Sequence, residues 1–285
     1  MNRRFHLSHI VPHPRLHIFH GYKEVIDTIA WGLVQLGHEV TYDINKFRSD
    51  ATNIVFGAQM LDLAMLNSLP ADTIIYHLEQ IADLNPDLMR DSMRYCVEHF
   101  EIWDYSEFNL PTWKSAHNQS NVRLVPIGYA PILSRIAKPI NQDIEVLFYG
   151  GTGGNRLNIF ADLCQKMVKT VFAHGLYGES RDNLIGRSKI VLNINQYSDS
   201  NIFEIARVSY LLANRKAVVS DFSEASKIEP DIRAAVDFKP SDQIVDECLR
   251  LLERPERIAE LENRGLEMIR KRDIRISLAA ALGSN

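Results

Sequence analysis

The chain has 285 residues, 46% of them hydrophobic and 24% charged, with a formal net charge of −4. Such a length accommodates about two domains of ordinary size, and the composition is that of a globular protein with a full apolar core. The slight acidity and the absence of a Lys/Arg cluster exclude a nucleic-acid binder, and no run reaches the roughly 18 apolar residues of a membrane span. The opening Met1-Asn2-Arg3-Arg4-Phe5-His6 has two arginines with no apolar stretch behind them, so it does not read as a signal peptide. A cytoplasmic location is the default expectation. Cys96, Cys164 and Cys248 lie far apart among apolar periodic residues, which predicts reduced packing residues rather than disulfides or metal ligands.

Along the first half, strand and helix patterns alternate. Phe5 to Val11 reads as a strand stopped by Pro12-His13-Pro14. Val25, Ile29, Leu33 and Leu36 share one face of a helix over about 22–36, and Gly37 is a natural residue just past its end. His38 to Tyr42, Asn53 to Phe56, Thr73 to Tyr76, Glu101 to Trp103 and Val122 to Pro126 read as further strands, with amphipathic helices near 59–68, 86–99 and 107–117. The segment 131–142, with Pro131 and Pro139 and little periodicity, suits a linker. A second alternating series follows, with strands near 145–149, 170–173, 189–194, 217–220 and 235–238. Helices are expected after Pro240-Ser241-Asp242 and over about 255–271. Two domains follow, 1–130 and 143–285, each a parallel sheet covered by helices. The fold class is α/β, two doubly wound Rossmann-like domains facing a cleft.

Candidate chemistry sits where strands end, because ligands of open α/β sheets collect there. The strand ending at Tyr149 runs into Gly150-Gly151-Thr152-Gly153-Gly154-Asn155-Arg156. Glycines let a backbone approach a ligand closely, and amides at a helix start can hold a diphosphate. The position three after Gly153 is Arg156, neither glycine nor alanine, which argues against a nicotinamide fingerprint. The Arg156 fork can take phosphate oxygens in pairs. A tight turn with no ligand is the plainer alternative. Asn195 closes a strand and is a pocket residue by the same rule.

Asn201-Ile202-Phe203-Glu204 reads as a helix start capped by Asp199, Ser200 or Asn201. Glu204 suits the helix dipole whatever else it does. Arg207 does not, unless it pairs with Glu204 or faces an anion. In the first half, candidates for a catalytic base are His77 and Glu79, Asp104 and Tyr105, and His13, His17 and His20. Glu79 is the first choice and His20 the second.

Residues 144–221 resemble the donor half of GT-B glycosyltransferases, in particular bacterial group 1-like glycosyltransferases, most clearly over Phe203-Glu204-Ile205-Ala206-Arg207-Val208-Ser209-Tyr210-Leu211-Leu212-Ala213-Asn214. The first half is similar to the same group at Lys23 to Leu33, Leu36-Gly37-His38-Glu39-Val40 and Tyr76-His77-Leu78-Glu79-Gln80. So are Ile102-Trp103-Asp104-Tyr105-Ser106 and Val125-Pro126-Ile127-Gly128-Tyr129-Ala130-Pro131.

The resemblance implies a nucleoside-diphosphate sugar as donor substrate, with no further cofactor, and a hexosyl transfer that requires no metal. The glycine loop would lie at the donor phosphates, the turn bearing Tyr177 beside the nucleobase, Glu204 on the ribose and Arg207 at the diphosphate. Phe203 would belong to the same donor site. The acceptor, a sugar, a lipid-linked or a small molecule, would sit on the first half, with membrane contact at most peripheral. Many retaining members carry two glutamates eight apart, which would fall near Ile202 and Tyr210 here; this chain has neither, and the stereochemical outcome stays open. Also open are the donor sugar and nucleotide and whether the chain forms a homo-oligomer. Alternatives to a transferase are a non-catalytic nucleotide-sugar-binding or partner subunit of the same fold, and a sugar-nucleotide epimerase.

Overall fold

Runs such as Ile74-Ile75-Tyr76 and Val146-Leu147-Phe148 are apolar at every position, and each becomes a strand buried on both faces of a parallel sheet. The computed structural model describes residues 2–13, 17–85, 87, 89–117, 121–196 and 201–283. The chain divides into two units, Met1–Ala130 with Asp273–Asn285, and Pro131–Arg272.

The first unit runs β1 (Arg4–His9), α1 (Lys23–Gln35), β2 (Glu39–Ile44), β3 (Thr52–Phe56), α2 (Leu63–Asn67), β4 (Ile74–His77), α3 (Asp91–His99), β5 (Glu101–Asp104), α4 (Leu110–Ala116) and β6 (Val122–Leu124). Its strands pair in the order β2-β1-β3-β4-β5-β6, all in parallel. β2 is an edge strand, and its half-exposed pattern shows it. Val55, Ile75, Ile102 and Trp113 sit in one apolar cluster with residues of α3. Helix α1 ends in paired bonds from Gly37 N to the Val34 carbonyl and from His38 N to the Leu33 carbonyl, a Schellman stop.

The second unit runs β7 (Ile144–Tyr149), α5 (Arg156–Gln165), β8 (Thr170–Ala173), α6 (Gly178–Arg187), β9 (Ser188–Asn193), α7 (Ile205–Ala213), β10 (Ala217–Asp221), α8 (Pro230–Ala235), β11 (Asp237–Lys239), α9 (Ile244–Leu252) and α10 (Pro255–Lys271). The order is β11-β10-β9-β7-β8, again parallel throughout. Successive strands leave β7 in opposite directions, so the sheet has a switch point between the ends of β7 and β9. Among the described residues no helix is long and apolar enough to cross a membrane.

Several elements depart from their sequence pattern. The expected linker belongs to the second unit: Asn214 Oδ1 accepts from the amides of Arg135 (2.9 Å) and Ile136 (2.8 Å), and Ser134 Oγ donates to the Ala213 carbonyl at 2.7 Å. A last helix, α11 (Ile274–Ala281), returns to the first unit and packs on α1, so 273–285 do not belong with the second. The turn expected at Tyr177 leads straight into helix α6, whose buried residues are Arg181, Ile185 and Gly186. An arginine in the core, lying 4.7 Å from the Tyr210 ring centroid, hides the apolar period that would mark a helix. Helix α2 starts only at Leu63 because Asp62 accepts the Met65 amide at 2.8 Å and caps it there. Cys96 and Cys248 are buried as expected, whereas Cys164 is exposed.

Candidate functional site

The loop between β7 and α5 lies at the switch point of the second sheet, and its glycines have a specific neighbour. A Cβ on Gly151 would come within 2.9 Å of Gln196 Oε1, and one on Gly153 within 2.9 Å of Gln196 Cγ. Gly154 has φ +64°, and a Cβ there would lie 2.7 Å from the Gln196 carbonyl oxygen and 3.0 Å from that of Asn195. Gly151 and Gly153 thus leave room for the Gln196 side chain, and Gly154 alone packs the loop after β7 directly on the backbone of the loop after β9.

Arg156 joins the same two loops. Its Nε (2.8 Å) and Nη2 (2.6 Å) donate to the Ile194 carbonyl, and its Nη1 donates to the Gly151 carbonyl (3.1 Å) and to Gln196 Oε1 (3.0 Å). The side chain is 5% exposed and lies 5.1 Å from the Phe148 ring centroid. The fork expected to grip phosphate is turned inward and grips carbonyl groups of its own chain. Sequence could not separate these uses, since a guanidinium suits both.

With the Gly151 carbonyl taken by Arg156 and the Gly150 carbonyl by His174 Nδ1 at 2.9 Å, the loop's donors remain unspent. The backbone N–H groups of 151–155 make no hydrogen bond to a described residue. Gly150 N–H goes to the Ala173 carbonyl at 2.9 Å. Thr152 is exposed. Asn155 precedes α5 without capping it; its Nδ2 donates to Ser241 Oγ at 3.0 Å and its Oδ1 accepts from Asn158 at 2.9 Å.

Arg207, in the first turn of α7, comes to the start of this loop. Its Nη2 lies 3.3 Å from where a Gly150 Cβ would be, and its guanidinium is 5.4 Å from the Tyr149 ring centroid. Its Nη1 is buried with no hydrogen-bond partner among the described residues. The expected pairing with Glu204 is not formed among the described residues. Glu204 is the residue before α7, where its carbonyl accepts the Val208 amide at 3.2 Å and its side chain caps nothing. Of the expected caps, Asp199 and Ser200 lie outside the described residues, and Asn201 offers its carbonyl to the Lys227 amide at 2.6 Å.

Tyr177, half-buried ahead of α6, has its hydroxyl pKa pushed up by burial and drawn back by the nearby charges of Arg207 and Arg181. Asn195, beyond the end of β9, gives its amide to Asp221 Oδ1 at 2.9 Å, and burial raises the Asp221 carboxyl pKa. Phe203 is buried edge-on against Phe238, 5.2 Å between centroids, which makes it a core side chain. Gly150, Tyr177 and Arg207 thus come together, while Arg156, Asn155 and Phe203 are engaged elsewhere.

In the first unit, Glu79 follows β4 and is exposed. Its Oε1 accepts from Tyr22 Oη at 2.6 Å and Gln59 Nε2 at 2.8 Å, and its Oε2 takes no hydrogen bond from a described residue. Those donors come from the segments after β1 and β3, so three strand ends meet on one carboxylate. His20, partly buried, stands two residues before Tyr22 in the 3-10 turn that leads into α1. His13 is exposed, and the side chain of His17 lies outside the described residues.

His77 and Asp104 form a buried pair, Nδ1 donating to Oδ2 at 2.8 Å. Asp104 also accepts from Trp113 Nε1 (2.7 Å), the Ser106 amide (2.8 Å) and Asn109 Nδ2 (3.0 Å). Asn109 in turn holds the Glu79 carbonyl at 3.0 Å and the Ile81 amide at 3.0 Å. The pair thereby braces the turn that presents Glu79. Tyr105 is buried. Gln59, Tyr22, His174 and Gln196 escaped the sequence reading; Gln59, His174 and Gln196 share the signal of a polar side chain just past a strand end, whereas Tyr22 stands immediately before α1.

No protein-family model matches the chain. Two uncharacterized proteins of Acanthamoeba polyphaga mimivirus are similar in sequence. One is 24% identical over 242 residues, covering 82% of this chain and 77% of its own length; the other is 25% identical over 218 residues, covering 74% and 75%. These relatives are viral, so the bacterial origin implied by the resemblance is not supported.

Among solved structures, Anabaena HepE in complex with UDP and glucose aligns with a TM-score of 0.64 and 10% identity over 100% of both chains. AviGT4, a glycosyltransferase involved in avilamycin A biosynthesis, aligns at 0.59 with 15% identity over 98% of both. T4 phage BGT in complex with its UDP-glucose substrate aligns at 0.57 with 15% identity over 98% of this chain and 99% of its own. Two parallel sheets in this order, matched end to end by such structures, establish the GT-B glycosyltransferase fold for this chain.

Proposed function

We propose that the chain is a glycosyltransferase that moves a sugar from a nucleoside-diphosphate sugar to an acceptor hydroxyl. The observation that carries the reading is Arg207: a guanidinium nitrogen buried without a partner among the described residues, beside a loop whose amides are unspent, at the switch point of a parallel sheet. A buried guanidinium nitrogen without a partner is costly, and a diphosphate relieves that cost at the place where open α/β sheets hold ligands. The start of α5 adds its dipole, and Tyr177 stands near enough to Arg207 to border the nucleotide.

When the bond from the anomeric carbon to the diphosphate oxygen breaks, negative charge grows on the leaving group. Arg207 and the loop amides stabilise it, and the proposal assigns them the part a metal plays elsewhere. Glu204 takes the ribose hydroxyls. The acceptor binds at the end of the first sheet, where the free Oε2 of Glu79 receives the proton of the attacking hydroxyl. His20 is the second group placed to do so. The solved neighbours with UDP, or with UDP-glucose as substrate, support a uridine nucleotide as the first donor to try.

The test is calorimetric titration with UDP, GDP, CDP and dTDP, followed by turnover of the sugar nucleotide whose diphosphate binds. Heat with one of them in wild type, lost in Arg207→Ala, is the expected result. No heat with any of the four ends the reading. Binding with neither transfer nor slow hydrolysis reduces the chain to a binding subunit, and a changed sugar released on its nucleotide would identify an epimerase.

A further inference from the structure

Two carbonyl groups at the start of the glycine loop are held by side chains from elsewhere in the same unit. His174 Nδ1 donates to Gly150 O at 2.9 Å, and Arg156 Nη1 donates to Gly151 O at 3.1 Å. A trans peptide is planar, with its C=O and the following N–H pointing in opposite directions. Pinning Gly150 O toward His174 therefore turns the Gly151 amide away from it, and pinning Gly151 O toward Arg156 turns the Thr152 amide away from that side chain. Neither amide has a partner among the described residues, and Thr152 is exposed.

The two pins differ in setting. Arg156 is buried and also donates to the Ile194 carbonyl and to the Gln196 side chain, so it locks the loop after β9 to the loop after β7. His174 is exposed just past the end of β8. Without them each peptide plane could rotate and offer a carbonyl oxygen where a phosphate must approach, since the first lies between two glycines and the second follows Gly151, which leaves the backbone free to turn.

We propose that His174 and Arg156 are positioning residues for donor binding, holding the Gly150 and Gly151 carbonyls so that the Gly151 and Thr152 amides stand ready for the diphosphate. The inference rests on the donor reading above and assigns Arg156 to orienting the loop rather than touching phosphate. It also explains why a guanidinium is spent on carbonyls: every acceptor it removes leaves the loop more purely a donor surface.

The experiment measures affinity for UDP and for inorganic pyrophosphate by calorimetry on the full chain, with melting temperature in parallel. His174→Phe keeps an aromatic ring but donates nothing; both ligands should bind about tenfold more weakly, the cost of one misdirected charge-assisted hydrogen bond, with an unchanged melting temperature. His174→Asn, whose amide nitrogen can reach the same carbonyl, should recover most of the affinity. Arg156→Lys keeps the charge and loses the fork, and should weaken both ligands although the net charge is the same. Wild-type affinity in both His174→Phe and Arg156→Lys overturns the inference and leaves the donor reading intact. A fall in melting temperature without a change in affinity assigns the two residues to stability alone and overturns it as well. If wild type binds neither these ligands nor any other nucleoside diphosphate, the donor reading falls and takes the inference with it.

Discussion

At the end of β7 the first two acceptors are occupied and the donors left over: Gly150 and Gly151 offer their carbonyls to His174 and Arg156, while the amides of 151–155 and Arg207 Nη1 have no partner among the described residues. At the end of β4 the balance is reversed. Tyr22 and Gln59 spend their donors on Glu79 Oε1, and the second carboxylate oxygen is left over. Both edges belong to parallel sheets in which the first strand lies between the second and the third. Ligands of open α/β sheets collect at such edges, and under the proposed function the polarity left after internal bonding suits an anion at the first and a hydroxyl at the second.

The comparison breaks most plainly at Arg207. Arg207→Ala should lower kcat by about two to three orders of magnitude, the usual loss when one charged contact to a developing anion is removed. Its melting temperature should stay near wild type, because the missing Nη1 has no partner to lose. A variant with wild-type turnover would remove the anion from the edge of β7. Glu79→Gln tests the other edge: the amide keeps the shape but cannot take a proton, so kcat should fall by about a hundredfold or more while donor affinity is unchanged. Loss of donor affinity in Glu79→Gln instead would mean that the two edges do not divide the work as argued.

The contrast between the edges was only half visible beforehand. Strand positions were legible because parallel strands buried on both faces read as apolar runs, as at Ile74-Ile75-Tyr76 and Val146-Leu147-Phe148. That Arg207 stands in a first helical turn beside the loop after β7 is legible in the sequence, because the apolar runs place the strand and the helix that carry them. The direction of Arg156 was not legible, since sequence shows a guanidinium but not which carbonyls surround it. Nor were Tyr22 and Gln59, which meet Glu79 from 57 and 20 residues away. Helix α11 was missed because nothing in the pattern of 274–281 says that it leaves the second unit for α1.

Smaller effects sharpen the account of the glycine loop. Gly154→Ala forces φ +64° on a residue with a Cβ and drives that Cβ to 2.7 Å from a backbone oxygen, so it should cost roughly 2–3 kcal/mol of stability in urea unfolding. Adding Gln196→Ala should not restore it, because the obstructing atoms are main-chain. Gly153→Ala meets the Gln196 side chain instead, and there the second substitution should recover most of the loss. Equal behaviour of the two pairs would show that Gln196 is not what the loop is shaped around.

A slope of stability with pH bears on whether surplus polarity always signals a ligand. Lys216 precedes β10, at the opposite end of the second sheet from the loops described, and is 2% exposed. Its Nζ donates to the Ser188 carbonyl. Burial lowers its pKa to about 8, against a partial pull upward from Glu262 and a further push down from Lys138. Between about 8 and the ordinary lysine value near 10.4, the unfolded chain carries this proton and the folded chain does not, so folding stability rises with pH across that window. Wild type measured against Lys216→Met should show the rise at no more than about 1.4 kcal/mol per pH unit, with the cysteine and tyrosine ionisations common to both cancelling in the difference. A flat difference would mean that Lys216 keeps its charge through its carbonyl partner. A rising one would set Lys216, which is walled in and sheds a proton, apart from Arg207, which cannot shed one and which under the proposed function is neutralised by the ligand that binds at the strand ends.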